Sequence, residues 1–134
     1  MLDWNNLSSI KDFTGYHGFT YVINYADGTN YYGKKDFITS IKRKLGKKEL
    51  AERTDKRTKT YKTIVKESNW RTYNGSTKNS KGKTIKDKWI IEPYKTKREL
   101  TYREAELLFK YNVLFDDKCL NENILGKFFS NVGD

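Results

Sequence analysis

A chain of 134 residues carrying ten Tyr, seven Phe, three Trp and a formal net charge of +10 has room for one aromatic-rich core, and its charge fits a polyanionic partner. It has no apolar run of the roughly 18 residues that a bilayer span needs, and the opening Met1-Leu2-Asp3-Trp4-Asn5-Asn6 has neither the basic nor the apolar region of a signal peptide. One cysteine, Cys119, and one histidine, His17, exclude a disulfide framework and a thiolate zinc site and make histidine-based catalysis hard to build, so hydrolytic chemistry would run on Tyr, Lys, Arg and carboxylates, with a metal on oxygen ligands.

Residues 1–17 read as a loose lead-in of polar turn formers. Gly18 to Tyr25 is aromatic and β-branched and predicts a strand. Asp27-Gly28 predicts a hairpin, and Asn30-Tyr31-Tyr32-Gly33-Lys34 the returning strand. Asp36 can cap a helix with Phe37, Ile38, Ile41 and Leu45 on one face and Gly46 as its stop. Residues 42–66 concentrate positive charge with a poor apolar period, which predicts an irregular basic arm. Residues 77–84 read as a flexible basic loop. Lys88 to Glu92 predicts a third strand ended by Pro93. Thr101-Tyr102-Arg103-Glu104 has the form of a capping box opening a helix to about Phe115, with Leu107, Leu108, Tyr111, Leu114 and Phe115 as its apolar stripe. Asn121 to Gly126 predicts a turn before a short final element. There are no repeats, and the expected organisation is one domain over 1–134, with lead-in 1–17 and a basic arm over about 46–84.

The spacing of Phe19-Thr20-Tyr21 and Tyr31-Tyr32-Gly33-Lys34, nine residues apart, resembles the paired signature of GIY-YIG nucleases. The second half matches more closely, since Phe-Thr-Tyr departs from Gly-Ile-Tyr. The resemblance extends to Glu67 through Ser76 and to Tyr102-Arg103-Glu104-Ala105, covering roughly residues 18–127. It resembles a branch of small phage-encoded GIY-YIG endonucleases. That implies an α+β fold with a small antiparallel three-stranded sheet flanked by helices. It also implies a one-metal phosphodiesterase. Tyr21 and Tyr31 would lie in the active face, with Lys34 just after them. Arg43 or Lys42 would be the catalytic cation on the first helix, Glu104 the metal ligand and Asn121 a late polar contact. Arg43 sits a little later than the arginine usual in the family.

Those residue types suit the chemistry. In-line attack on a phosphodiester builds negative charge, which a divalent cation on a carboxylate and a fixed Lys or Arg can stabilise. A tyrosine can orient or deprotonate water if cations lower its pKa. Tyr21 and Tyr31 can both reach one phosphate only from the same face of the hairpin, which predicts a three-residue Asp27-Gly28-Thr29 turn with Tyr25 opposite Tyr31, or a bulge, and Gly33 in that row leaves a gap where a phosphate could approach. Each role has a plainer competitor. Strand tyrosines usually fill cores, Lys34 would otherwise be a solvated strand-end charge, Arg43 and Lys42 lie in a basic run, and Asn121 can stabilise its own turn. Glu104 can close the capping box, yet it heads the stripe of Leu107, Leu108, Tyr111 and Phe115, where an inward carboxylate is costly unless paired or metal-bound.

Lys42, Lys44, Lys47, Lys48, Arg53, Lys56, Arg57, Lys59, Lys62 and Arg71 are the candidate phosphate contacts, each able to release counterion on binding. Trp70 and Tyr73 are candidates for stacking on sugar or base and equally for core anchors. No amphipathic helix suggests membrane docking. The expected function is hydrolysis of double-stranded DNA, by nicking or cleavage, with Mg²⁺ or Mn²⁺. The alternative is a nonenzymatic basic nucleic-acid-binding module, and a small RNase is a third reading. One active site cuts one strand, so a double cut needs a homodimer or two visits, and specificity needs the arm or a DNA-reading partner protein. The resemblance places the activity in a host cytoplasm.

Overall fold

The sheet is organised around β1 (Gly18–Tyr25), whose alternate side chains Phe19, Tyr21, Ile23 and Tyr25 are all buried on one face. A computed structural model describes residues 3–10, 12–44, 46–48, 61–75 and 77–129. β2 (Asn30–Asp36) and β5 (Ile85–Tyr94) flank β1 antiparallel, in the order β2-β1-β5. β3 (Ile38–Lys44) and β4 (Tyr61–Glu67) form a separate two-stranded ribbon, and β6 (Asn123–Ile124) pairs with β7 (Phe128–Phe129). A single α-helix is complete among the described residues, α1 (Lys97–Lys110). The α+β class and the three-stranded antiparallel sheet stand as expected.

The hairpin register decides where the tyrosines point. Asn24 pairs with Asn30, Ile23 with Tyr31 and Tyr21 with Gly33. The loop is therefore odd, as expected, but it is Ala26-Asp27-Gly28 rather than Asp27-Gly28-Thr29, so Ile23 and not Tyr25 faces Tyr31. It is closed by Gly28 N–H to the Tyr25 carbonyl at 3.0 Å and Tyr25 N–H to the Thr29 carbonyl at 2.8 Å. Gly28 carries φ +90°, which is what lets a three-residue hairpin turn close. Tyr21, Ile23, Tyr25, Tyr31 and Gly33 consequently share one face.

Four sequence expectations give way. The helix predicted from Asp36 is the strand β3, because Ile38, Thr39 and Ile41 are β-branched and the facing strand β4 carries its own β-branched run, Thr63-Ile64-Val65, with Ile41 opposite Ile64. Phe37 turns the chain out of β2 and is fully buried. The predicted irregular arm thus contains β4, while residues 49–60, and with them Arg53, Lys56, Arg57 and Lys59, lie outside the described residues. β5 runs through Pro93, which an edge strand tolerates because no outer partner needs its missing N–H. The lead-in is core: Trp4 is buried, meets Phe19 edge-on at 5.3 Å and donates from its indole nitrogen to the Trp70 carbonyl at 2.6 Å. Beside it the Asn5 and Asn6 side chains bond the β5 backbone at Lys88 and Ile90.

The fourth change concerns α1. Thr96, not Thr101, caps it, accepting from Glu99 N–H at 3.1 Å in the same Thr-x-x-Glu pattern five residues earlier. The helix stops at Lys110, where Asn112 takes φ +50°. Its inward row is Leu100, Glu104 and Leu108, with both leucines buried. Phe115 lies past the end and is 88% exposed, so it is not part of the stripe.

Candidate active site

Side chains alternate along β2. Tyr31 and Gly33 face the aromatic core, and Tyr32 and Lys34 face α1, where Tyr32 stacks on Tyr111 at 5.1 Å and 9°. One cleft of about 570 Å³ is nevertheless lined by Tyr31, Tyr32 and Lys34 together with Thr101, Glu104 and Asn121. Lining from both faces means that the cleft wraps the outer edge of β2, the free side of the sheet.

That edge is shaped by residues 118–121. Asn30 donates to the Lys118 carbonyl and accepts from Leu120 N–H, both at 2.7 Å. Asn121, 6% exposed, clamps Tyr32 at both ends of its peptide group. Its Oδ1 accepts from Tyr32 N–H at 3.1 Å and its Nδ2 donates to the Tyr32 carbonyl at 2.7 Å. Asn121 therefore holds β2 across 89 residues of sequence rather than its own turn. By the same alternation, Lys34 is the next residue whose backbone N–H faces away from β1, on the edge that borders the cleft.

Glu104 enters the cleft from the second turn of α1. It makes no hydrogen bond or ion pair among the described residues. Burial pushes its carboxyl above the usual range, and the charge of Lys34 pulls it partly back. With the cap at Thr96, nothing structural at the helix start uses this carboxylate. No group of three or more His, Cys, Asp or Glu able to hold a metal occurs among the described residues. The cleft offers Glu104, with Glu122 as a second lining carboxylate. That donor set suits a hard cation which keeps most of its water, as Mg²⁺ and Mn²⁺ do, and not a caged or thiolate-bound ion.

Tyr21 does not reach the cleft surface. It is 1% exposed, its hydroxyl is hydrogen-bonded to Tyr73, and its ring lies 6.3 Å from that of Tyr31. Burial, with Tyr31, Tyr73 and Glu104 adding to it, pushes the phenol far above its ordinary pKa, the reverse of what a proton-accepting tyrosine requires. Gly33 makes room for it. A Cβ there would stand 2.6 Å from the Tyr21 hydroxyl and 3.1 Å from Tyr31 Cε1. The space that the sequence suggested for a phosphate beside Gly33 is filled by Tyr21.

The candidate contacts separate. The backbones of Lys42, Arg43, Lys44 and Lys62 are in the β3–β4 ribbon, so Arg43 is not on a helix. Lys47 and Lys48 are exposed. Arg71 is paired with Glu67 at 2.9 Å and lies 4.5 Å over the Trp70 ring. Trp70 has no surface to offer a base: it is fully buried against Phe19 and Phe37, with its indole donating to Glu67 at 2.9 Å. Tyr73 is half-buried, edge-on to Tyr21 at 6.0 Å with the Lys35 ammonium 4.2 Å from its ring centre. Sequence reading missed Lys88, which is completely buried. Its ammonium donates to the Tyr73 carbonyl at 2.8 Å and Asn74 Oδ1 at 3.0 Å, and so fixes the main chain that presents Tyr73 to Tyr21. Its place amid an apolar strand, Lys88-Trp89-Ile90-Ile91, was the available signal.

The family described as "Putative endonuclease segE, GIY-YIG domain" matches residues 4–124. Comparison with curated proteins and with solved structures finds no match. A match over most of the chain, on a sheet that carries the paired tyrosine motif in its central hairpin, places the chain in the GIY-YIG endonuclease family.

Proposed function

We propose that this chain hydrolyses phosphodiester bonds of double-stranded DNA in the cleft at the β2 edge, in a reaction that needs Mg²⁺ or Mn²⁺. The observation that carries the reading is Glu104, an inward carboxylate with no hydrogen bond or ion pair among the described residues and only the charge of Lys34 to offset its burial, lining the same cleft as Tyr31 and Lys34. An ionised carboxylate in such a place costs stability unless something compensates it. Bound to Glu104, the metal would supply charge stabilisation at the phosphate. Lys34 holds the phosphate through its ammonium and its outward N–H, Tyr31 orients the attacking water, and Asn121 keeps the Tyr32 peptide, and hence both neighbours, in place. Tyr21 is a positioning residue behind Tyr31.

The duplex is the substrate favoured by the ribbon. β3 and β4 pair over seven residues with no third strand among the described residues, and Ile41 and Val65 are 44% and 59% exposed. A free two-stranded ribbon has the width that a DNA major groove admits. Its sequence brings Lys42, Arg43, Lys44, Lys62 and Lys66, within a chain of net charge +10, to the phosphates on either side.

The test is relaxation of supercoiled plasmid with Mg²⁺, with Mn²⁺ and with EDTA, comparing wild type with Glu104→Gln. Metal-dependent nicking by wild type alone supports the reading. Binding of DNA with no nicking under any metal establishes the nonenzymatic module instead, and cleavage of RNA in preference to DNA establishes the RNase.

A further inference from the structure

The cleft contains a second cation that the site has not yet used. We infer that Lys78 binds the phosphate group undergoing attack, as the fixed cation that the sequence reading assigned to Arg43 or Lys42. This rests on the reading of the β2-edge cleft as the phosphodiester site. Three observations carry it.

Lys78 lines the cleft with Tyr31, Lys34 and Glu104, and among the described residues these two lysines are the cations that do so. Arg43 and Lys42, by contrast, belong to a strand that among the described residues pairs with β4 alone.

Lys78 also sits on a constructed turn rather than a flexible loop. Residues Lys78–Ser80 form a 3-10 turn in which Thr77 Oγ1 accepts from Asn79 N–H at 3.2 Å and the Ser80 hydroxyl donates to the Thr77 carbonyl at 2.9 Å. The Asn79 side chain donates to the Leu120 carbonyl at 3.2 Å, which fastens the turn to the segment that borders β2. Further along, Lys83 is ion-paired with Asp27 of the hairpin loop. The segment is thus held to the hairpin at Asp27 and, through Leu120, at the β2 edge, and Lys78 projects from between them.

Finally, the Lys78 ammonium has no acidic partner among the described residues, whereas Lys83 on the same segment does. A cation on an anchored turn, exposed and without an acidic partner among the described residues, that lines the same cleft as the half-buried Glu104 suits charge that develops on a phosphate oxygen. Lysine serves here as a point charge, which needs no bidentate geometry.

The experiment has two arms. In EDTA, where no cleavage takes place, the lysine amines of the wild-type protein are acylated with and without a short DNA duplex and read by mass spectrometry. Lys78 is expected to be protected by DNA, more strongly than Lys81 three residues on, which is equally exposed but does not line the cleft. In Mg²⁺, single-turnover nicking at saturating DNA is compared for wild type, Lys78→Ala, Lys78→Arg and Lys81→Ala. Lys78→Ala is expected to slow nicking by about 100-fold, Lys78→Arg to recover part of that loss, and Lys81→Ala to nick as wild type does. Nicking by Lys78→Ala at the wild-type rate overturns the inference, as does Lys78 acylation unaffected by DNA. If wild type nicks under no metal, the nuclease reading fails separately. The footprint on the unmodified chain then decides alone whether Lys78 holds a phosphate.

Discussion

Replacing Gly33 by alanine puts a methyl group where Tyr21 already is. The new Cβ would lie 2.6 Å from the Tyr21 hydroxyl, 2.8 Å from its Cζ and 3.1 Å from Tyr31 Cε1. An ordinary contact begins near 3.4 Å, so the hydroxyl must retreat by about 0.8 Å, the difference between 3.4 and 2.6. It has little space for this. Tyr21 is 1% exposed and is enclosed by Trp4 at 5.3 Å, Phe19 at 6.1 Å and Tyr73 at 6.0 Å. Overpacking of this kind costs about 1–3 kcal/mol, which in a domain of this size lowers Tm by roughly 4–12 °C. The easier movement is outward through Tyr31, and a displacement approaching 1 Å at a reacting centre costs on the order of 100-fold in rate. Thermal melting and single-turnover nicking at saturating DNA measure both effects. Gly28→Ala is the control: its φ of +90° makes alanine strained by about 1–2 kcal/mol, yet nothing lies within 4 Å of the added Cβ. Gly28→Ala should lose stability and keep its rate, whereas Gly33→Ala should lose both. A Gly33→Ala protein that melts low but nicks at the wild-type rate would refute the claim that the packing of Tyr21 behind Tyr31 sets the site.

Glu104→Gln should abolish nicking and raise Tm in EDTA at neutral pH. The folded state raises the Glu104 pKa, so it retains the proton longer than the unfolded chain, and stability falls as pH rises from about 4.5 through the folded pKa. The Tm difference should close below that window, and equal melting at neutral pH would show a solvated carboxylate. Tyr31→Phe should slow nicking by about 100-fold. Tyr21→Phe removes one hydrogen bond, that to Tyr73, and should cost about fivefold from roughly 1 kcal/mol; a larger loss for Tyr21→Phe than for Tyr31→Phe would reverse their assigned roles. DNA affinity should fall with salt along a log–log slope of at least about −4. Neutralising Lys56, Arg57, Lys59 and Lys62 together should flatten that slope, and an unchanged slope means that DNA docks elsewhere.

The sheet was readable because its signals are local. Aromatic and β-branched residues at six of the eight positions of β1, and Asp27-Gly28 two residues after it, leave few alternatives to a hairpin. The odd loop followed from chemistry, since only that parity puts Tyr21 and Tyr31 on one face. What failed were periodicities that two structures share. Ile38 and Ile41 fit one face of a helix, but Thr39 and the β-branched run in β4 decide for a strand, and that run lies more than twenty residues away. Thr96-Lys97-Arg98-Glu99 and Thr101-Tyr102-Arg103-Glu104 are equally good capping boxes on paper, and the choice between them depends on how far β5 runs. The burial of Trp4, Phe13 and Tyr16 by the lead-in was not readable, because irregular backbone gives aromatic residues no period to follow.

Moving the cap by five residues changes what Glu104 means. As the third residue of a cap it would have had a backbone bond to make and a solvent-facing place in the first turn. Two turns into the helix, between Leu100 and Leu108, it has neither. The apolar stripe that Glu104 heads was reason to look for an inward carboxylate, but it marked only one wall of the site. The opposite wall comes from Asn121 and the Thr77–Ser80 turn, and their placement depends on a single long-range fact: residues 118–121 run along β2 and satisfy its outward backbone groups at Asn30 and Tyr32, then stop. A sheet edge left unpaired at Lys34 is normally a liability that invites another strand. Here that edge borders the cleft lined by Lys34, Lys78 and Glu104, so on the proposed reading the group suited to it carries negative oxygens on one side and accepts a metal on the other. A phosphodiester has that form.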